Sequence, residues 1–143
     1  MTESPALILL NLNVRVRAFM SRTIESVEVG RPVMEAVKRM VEADIGSVLV
    51  TQNQEPIGII TERDILRRVV YARESTEKPV EEIMSGPLIT VDHLATIGDA
   101  AQIMVERRVR RLLVKEDGRI VGIVTQRDLQ KALAETFDAL LLT

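Results

Sequence analysis

Apolar and polar positions along this chain follow two periods, and the periods arrive in a fixed order. Residues 24–27 form a short β-type run, closed by Gly30, Arg31 and Pro32, with Pro32 suited to the first turn of a helix. Val33, Ala36, Val37, Met40 and Val41 then recur at i, i+3, i+4, i+7 and i+8, which predicts an amphipathic helix ending near Asp44. The β-branched run 47–51 predicts a strand, 52–56 a turn and 57–60 a second strand. Thr61 opens a second helix, from about Glu62 to Tyr71. The predicted order is strand, helix, strand, strand, helix.

A polar stretch, 73–79, reads as a linker, and after it the pattern starts again. Met84-Ser85 repeats Met20-Ser21, and 88–91 repeats the first strand. Ile97, Ala100, Ala101, Met104 and Val105 repeat the helical stripe, and 112–114 repeats 48–50. Asp117-Gly118 suits a hairpin turn better than its counterpart Asn53-Gln54. Gly58-Ile59-Ile60-Thr61-Glu62-Arg63-Asp64 returns as Gly122-Ile123-Val124-Thr125-Gln126-Arg127-Asp128, 64 residues later. The 42 positions of 23–64 align with 87–128 without a gap. A half of about 60 residues is marginal alone, so the halves are expected to pair around a pseudo-two-fold axis. A lead-in at 1–13 carries the apolar run 6–10, strand or helix, packing on the core or on a partner subunit. At the other end Leu133, Phe137, Leu140 and Leu141 extend the last helix, packing across the module or across a subunit interface.

Composition narrows the function. Hydrophobic residues make up 46% and charged residues 28%, the balance of a folded soluble protein. Aromatics are 2% with no Trp, so the core is aliphatic and base stacking has little to work with. Net charge −2 and a pI near 5.5 argue against bulk binding to nucleic acid or anionic lipid. No cysteine is present, which excludes disulfides and thiolate metal sites, and one histidine, His93, excludes a histidine cluster within one chain. No apolar stretch reaches the roughly 18 residues of a membrane span. The run 6–10 is too short for a signal-peptide core and lacks a basic region before it. These features predict a cytoplasmic protein with no membrane partner, no metal and no required cofactor. Nor does a catalytic constellation emerge: His93 has no Ser or Cys partner, Ser21, Ser26, Ser47 and Ser85 lack an activating base, and Glu81-Glu82 reads as a solvated face.

Two motifs carry candidate chemistry. Thr61 precedes Asp64, and Thr125 precedes Asp128, at the spacing of a capping box with Asp in place of Glu. Such a cap contributes about 0.5–2 kcal/mol and needs no ligand. The same geometry also serves one. A helix N-terminus offers N–H donors and a positive dipole end to an anion, and a carboxylate, acceptor-only, takes both hydroxyls of a ribose. Thr61 and Thr125, with Arg63 and Arg127, can face phosphate. The halves differ ahead of the second strand, where 43–47 is Ala-Asp-Ile-Gly-Ser and 107–111 is Arg-Arg-Val-Arg-Arg. Four arginines repel one another unless compensated. They suit phosphate, or else a solvated face paired with Glu106, Glu116 and Asp117.

The ordered set resembles a tandem pair of CBS motifs, named after cystathionine β-synthase and often called a Bateman module, over about residues 14–134. It comprises Met-Ser, short strand, aliphatic helix, Val-Leu-Val-type strand and Gly-apolar-apolar-Thr-x-x-Asp, and it occurs twice. The resemblance implies an α+β (α/β-type) fold of two β-α-β-β-α motifs, at 14–71 and 80–134, with a linker at 72–79 and a tail at 135–143. It implies a homodimer of CBS pairs. It further implies a regulatory sensor that binds AMP foremost, or ADP, ATP or S-adenosylmethionine, in clefts between the motifs and signals to an effector protein. Carried over residue by residue, Asp64 and Asp128 take ribose, while Thr61, Thr125, Arg63, Arg127, Arg110 and Arg111 face phosphate. Asp128 works with Ser21, Ile24, Ser26 and Ile45, and Asp64 with Ser85, Leu88, Thr90 and Val109. Taken singly, Ile24, Ile45, Leu88 and Val109 read first as core. The arginines of one half make phosphate binding asymmetric. Two other readings stand beside this one: an interaction or assembly module without a small ligand, and, least supported, a nucleic-acid binder using 107–111.

Overall fold

The computed structural model describes residues 14–141, so the lead-in at 1–13 lies outside it. The described chain forms two compact units, one of residues 23–88 and one of 14–22 with 89–141.

In the first unit, β1 (Ser26–Glu28) pairs in parallel with β2 (Ser47–Gln52), which pairs antiparallel with β3 (Glu55–Thr61). Between β1 and β2 runs α1 (Val33–Ala43), entered from Pro32 and ended by Asp44 in the left-handed region (φ 54°), whose N–H returns to the Met40 and Val41 carbonyls. Val33, Ala36 and Met40 of α1 join Val27, Val48, Val50 and Ile60 of the sheet in one aliphatic core, each side chain larger than alanine contributing about 1.5–3 kcal/mol by leaving water. Predicted to share that stripe, Val41 is instead 74% exposed. At i+8 it has rotated past the edge of the sheet-facing arc, since eight residues overshoot two turns by about 80°. The second helix, α2 (Glu62–Ile65), is one regular turn that widens into a π-helical turn over Leu66–Val70. Beyond it, 78–85 folds back on the unit. Val33 N–H reaches the Lys78 carbonyl at 2.8 Å, Val80 N–H the Arg31 carbonyl at 2.9 Å, and Val80 and Ile83 enter the core.

The second unit has the same plan. Its strands β4 (Thr90–Asp92), β5 (Arg111–Glu116) and β6 (Arg119–Thr125) repeat the parallel and antiparallel pairing, including a bulge at the matching place. Its helices are α3 (Ile97–Arg107) and α4 (Gln126–Leu141). Residues 14–21 do here what 78–85 do in the first unit: Val16 N–H bonds the Ala95 carbonyl at 2.9 Å, Ile97 N–H the Val14 carbonyl at 3.1 Å, and Val16 is buried in the core. Thus the segment preceding the first repeat packs in the unit of the second repeat. Like Val41, Val105 falls outside the buried stripe, at 78% exposed.

The hairpin turns confirm the sequence contrast in physical terms. Both have two residues at positive φ, Asn53 (51°) and Gln54 (68°) in one, Asp117 (50°) and Gly118 (77°) in the other. Glycine meets that conformation without a Cβ penalty, whereas Gln54 bears it.

Candidate functional site

In the first unit the site begins at a glycine. Ser85 forms a bridge with Ile59 of β3, through bonds of 2.8 and 3.0 Å. This lays Met84-Ser85 across the strand at Gly58, where a Cβ would meet Met84 Sδ at 2.5 Å and the Ser85 carbonyl oxygen at 3.2 Å. Only a residue without a side chain allows that passage. Three residues on, Thr61 caps α2. Its hydroxyl accepts from Asp64 N–H at 3.2 Å, and Asp64 Oδ2 accepts from Thr61 N–H at 2.9 Å and Thr61 Oγ1 at 3.1 Å. The crossing segment delivers Ser85, whose hydroxyl donates to Asp64 Oδ1 at 2.8 Å. Arg68, from the π turn, brings Nε to 3.8 Å of the same oxygen and donates to the carbonyls of Ile83 (3.2 Å) and Met84 (3.0 Å). Asp64 is buried, at 8% exposure.

The second unit builds the same cap with different company. Met20-Ser21 crosses β6 at Gly122, where a Cβ would run into Met20 Sδ and stand 3.0 Å from the Ser21 carbonyl, and Ser21 bridges Ile123 at 2.8 and 2.9 Å. Asp128 Oδ2 accepts from Thr125 N–H at 2.8 Å and Thr125 Oγ1 at 3.0 Å, while Asp128 N–H donates to Thr125 Oγ1 at 3.2 Å. Asp128 is half-buried. The position matching Arg68 is Ala132, which is fully buried in the core. Arg63 and Arg127 are exposed beside their caps.

The arginine run separates into two pairs. Arg107 ends α3, and Arg108 is its C-cap in the left-handed region (φ 55°), so both lie at the negative end of the helix dipole, where a cation is stabilised. Arg110 and Arg111 belong to the strand side. The Arg110 carbonyl accepts from Gln126 N–H at 2.8 Å, and Arg111 stands opposite Thr125 in the β5–β6 register. The fold therefore brings the backbone of 110–111 beside the Thr125–Asp128 cap. Near the run, Glu106 accepts from Gln102 at 3.0 Å, and Glu116 lies 3.8 Å from half-buried His93.

The remaining nominated residues are distributed between the units. Ile24, Ser26, Ile45 and Leu88 lie in the first, with Ile45 packed against the core; Thr90 and Val109 lie in the second, with Val109 packed against its core. Ser26 lines a polar cleft of about 420 Å³ with Glu28, Arg31, Glu35, Arg39 and Thr51. There the hydrogen bond from Arg31 holds the Glu35 carboxyl below its ordinary pKa, opposed by desolvation and reinforced by Arg39. Sequence reasoning missed two features. Thr96 and Asp99 form a third capping box, at the start of α3, legible from the same Thr-x-x-Asp spacing. The contact of Arg68 with Asp64 had a signal in its i, i+4 spacing. Among the described residues no group of His, Cys, Asp or Glu is arranged to hold a metal, and no helix is long and apolar enough to cross a membrane.

The model of the CBS domain family matches the chain twice, at residues 16–71 and 80–135. The uncharacterized protein MK0525 of Methanopyrus kandleri is 41% identical over 106 residues, 70% of this chain and 54% of that protein, so the chain spans about half of that relative's length. Among solved structures, an uncharacterized conserved protein from Pyrococcus horikoshii superposes with a TM-score of 0.77 at 33% identity, covering 85% of this chain and 93% of that one. The CBS domain protein PAE2072 from Pyrobaculum aerophilum, solved in complex with AMP, gives 0.73 at 25% identity, covering 85% and 99%.

Proposed function

Since the chain belongs to the CBS domain family and carries the domain as a tandem pair, we propose that it is a regulatory sensor of adenine nucleotides, AMP first among them. One observation carries the reading. The fold sets the 110–111 backbone against the Thr125–Asp128 cap, so a carboxylate suited to a ribose diol and two guanidinium donors suited to phosphate belong to one end of one sheet. The AMP complex of PAE2072 supports the choice of ligand by relationship. In this reading Asp128 takes ribose, Arg110 and Arg111 take phosphate, and ADP, ATP and S-adenosylmethionine are competitors for the same residues. The output passes to an effector protein or to a second copy of the chain. Self-association as a homodimer is supported by apolar side chains on α4, where Leu133, Phe137 and Leu141 are exposed at i, i+4 and i+8.

The test is titration calorimetry with AMP and with adenosine. Arg111→Ala removes a charge-assisted bond worth about 1.5–3 kcal/mol, so AMP affinity falls roughly tenfold to a hundredfold. Adenosine, which has no phosphate, binds both proteins alike. An Arg111→Ala protein that binds AMP as tightly as the wild type would sink the phosphate assignment. No thermal shift with any of AMP, ADP, ATP or S-adenosylmethionine would favour an interaction module without a small ligand. At 100 times its dissociation constant a ligand stabilises by about 2.7 kcal/mol.

A further inference from the structure

We propose that Arg68 decides which of the two capping-box carboxylates receives the nucleotide, an inference that rests on the nucleotide reading above. Asp64 has no oxygen left to offer. Oδ2 is taken by the Thr61 N–H and hydroxyl, and Oδ1 by the Ser85 hydroxyl with the Arg68 guanidinium behind it. A carboxylate has about four acceptor positions, and three hydrogen bonds with an ion pair on a buried group fill them. A ribose would have to displace Ser85 and Arg68 together.

The second unit differs at the decisive residue. Ala132 stands where Arg68 would be and has no polar atom to bring to Asp128. Helix winding explains how one fold accommodates both. In α4 the regular turn after Asp128 points Ala132 into the core, where it is fully buried. In the first unit the π turn adds a residue, so Val69 enters the core. Arg68, its side chain 50% exposed, is then free to lie along Asp64 and hold the Ile83 and Met84 carbonyls. An arginine at a regular-turn core position would be buried without partners. The π turn and Arg68 therefore belong together, and they keep Asp64 as a structural carboxylate while Asp128 stays available.

The experiment counts bound AMP by calorimetry on the full chain. The wild type is expected to bind about one per chain and Asp128→Asn to lose at least tenfold in affinity. Arg68→Ala is expected to raise the count toward two, and the double variant Arg68→Ala/Asp128→Asn to regain about one. Arg68→Met, which keeps the aliphatic stem, repeats the Arg68→Ala arm in a protein less disturbed at the helix. A gain of binding cannot come from a protein that has merely been destabilised. A double variant as silent as Asp128→Asn, or a wild type that already binds two, overturns the role of Arg68 and leaves the nucleotide reading standing. Absence of AMP binding in all five proteins overturns the nucleotide reading and this inference with it.

Discussion

Replacing Gly58 by Ala tests whether the crossing of Met84-Ser85 over β3 organises the first cap. The new Cβ would stand 2.5 Å from Met84 Sδ, 3.0 Å from Met84 Cγ and 3.2 Å from the Ser85 carbonyl oxygen. The thioether can move only at a cost, which Met84→Ala removes, and the carbonyl is held because the Ser85 backbone is bonded to Ile59 in both directions. Overpacking of this kind costs about 1–3 kcal/mol. Loss of glycine's freedom in the unfolded chain returns about 0.4–1 kcal/mol. The net is a destabilisation of about 1–2 kcal/mol, or a Tm lower by roughly 3–6 °C for a chain of this size. Met84→Ala removes the sulfur and leaves the carbonyl contact. The double variant Gly58→Ala/Met84→Ala should therefore be more stable than the sum of its singles, by at least about 0.5 kcal/mol of coupling. Thermal and urea unfolding of the four proteins measures the cycle. A Gly58→Ala protein with unchanged Tm, or a strictly additive cycle, would refute the crossing as the reason for the glycine.

Two further outcomes follow from local geometry. Gln54→Gly relieves a left-handed residue costing about 1–2 kcal/mol and gives back about 0.4–1 kcal/mol of chain entropy, so stability should rise by roughly 0.5–1 kcal/mol, with Gly118→Gln losing a similar amount; denaturant midpoints check both. Thr96→Ala and Thr125→Ala should each cost about 1 kcal/mol of stability by removing a cap. Only Thr125→Ala should also weaken AMP, as read by calorimetry, because Thr96 begins a helix that carries no other part of the proposed site.

Much of the fold is legible because its signals are local. The helical stripe of Val33, Ala36 and Met40 and the strands around Val48-Leu49-Val50 need only periodicity and β-branching, and both lie where those predict. The caps at Thr61 and Thr125 are readable for the same reason. What was hidden depends on residues far apart in sequence. Met20-Ser21 reads equally well as the entry to the strand that follows it, and nothing local says that it bridges Ile123 instead. The π turn is hidden for a different reason. The gapless alignment of the halves ends at Asp64 and Asp128, just before the windings part, and the shift is seen only in which residue is buried. Val69 lies four beyond Ile65, whereas Ala132 lies three beyond Leu129. Both spacings fit one helical face, so periodicity could not separate them.

Among the described residues the same local chemistry occurs three times, and only its neighbours distinguish the copies. Thr61–Asp64, Thr96–Asp99 and Thr125–Asp128 all close the reciprocal box, with Thr hydroxyl to Asp N–H distances of 3.2, 3.1 and 3.2 Å. A ligand reading drawn from the box alone would apply equally to exposed Asp99. The distinction comes from what reaches each carboxylate or its cap from outside the turn. For Asp64 it is Ser85 and Arg68, which consume its acceptors. The backbone contact at the cap is the same in both units, Glu62 N–H to the Gly46 carbonyl at 3.1 Å and Gln126 N–H to the Arg110 carbonyl at 2.8 Å, but only the second unit carries arginines there, at 110 and 111, and an alanine one turn along the helix from Asp128. The repeat thus supplies two equal caps, and single residues outside the repeated motif, at 68 and 132, make them unequal acceptors.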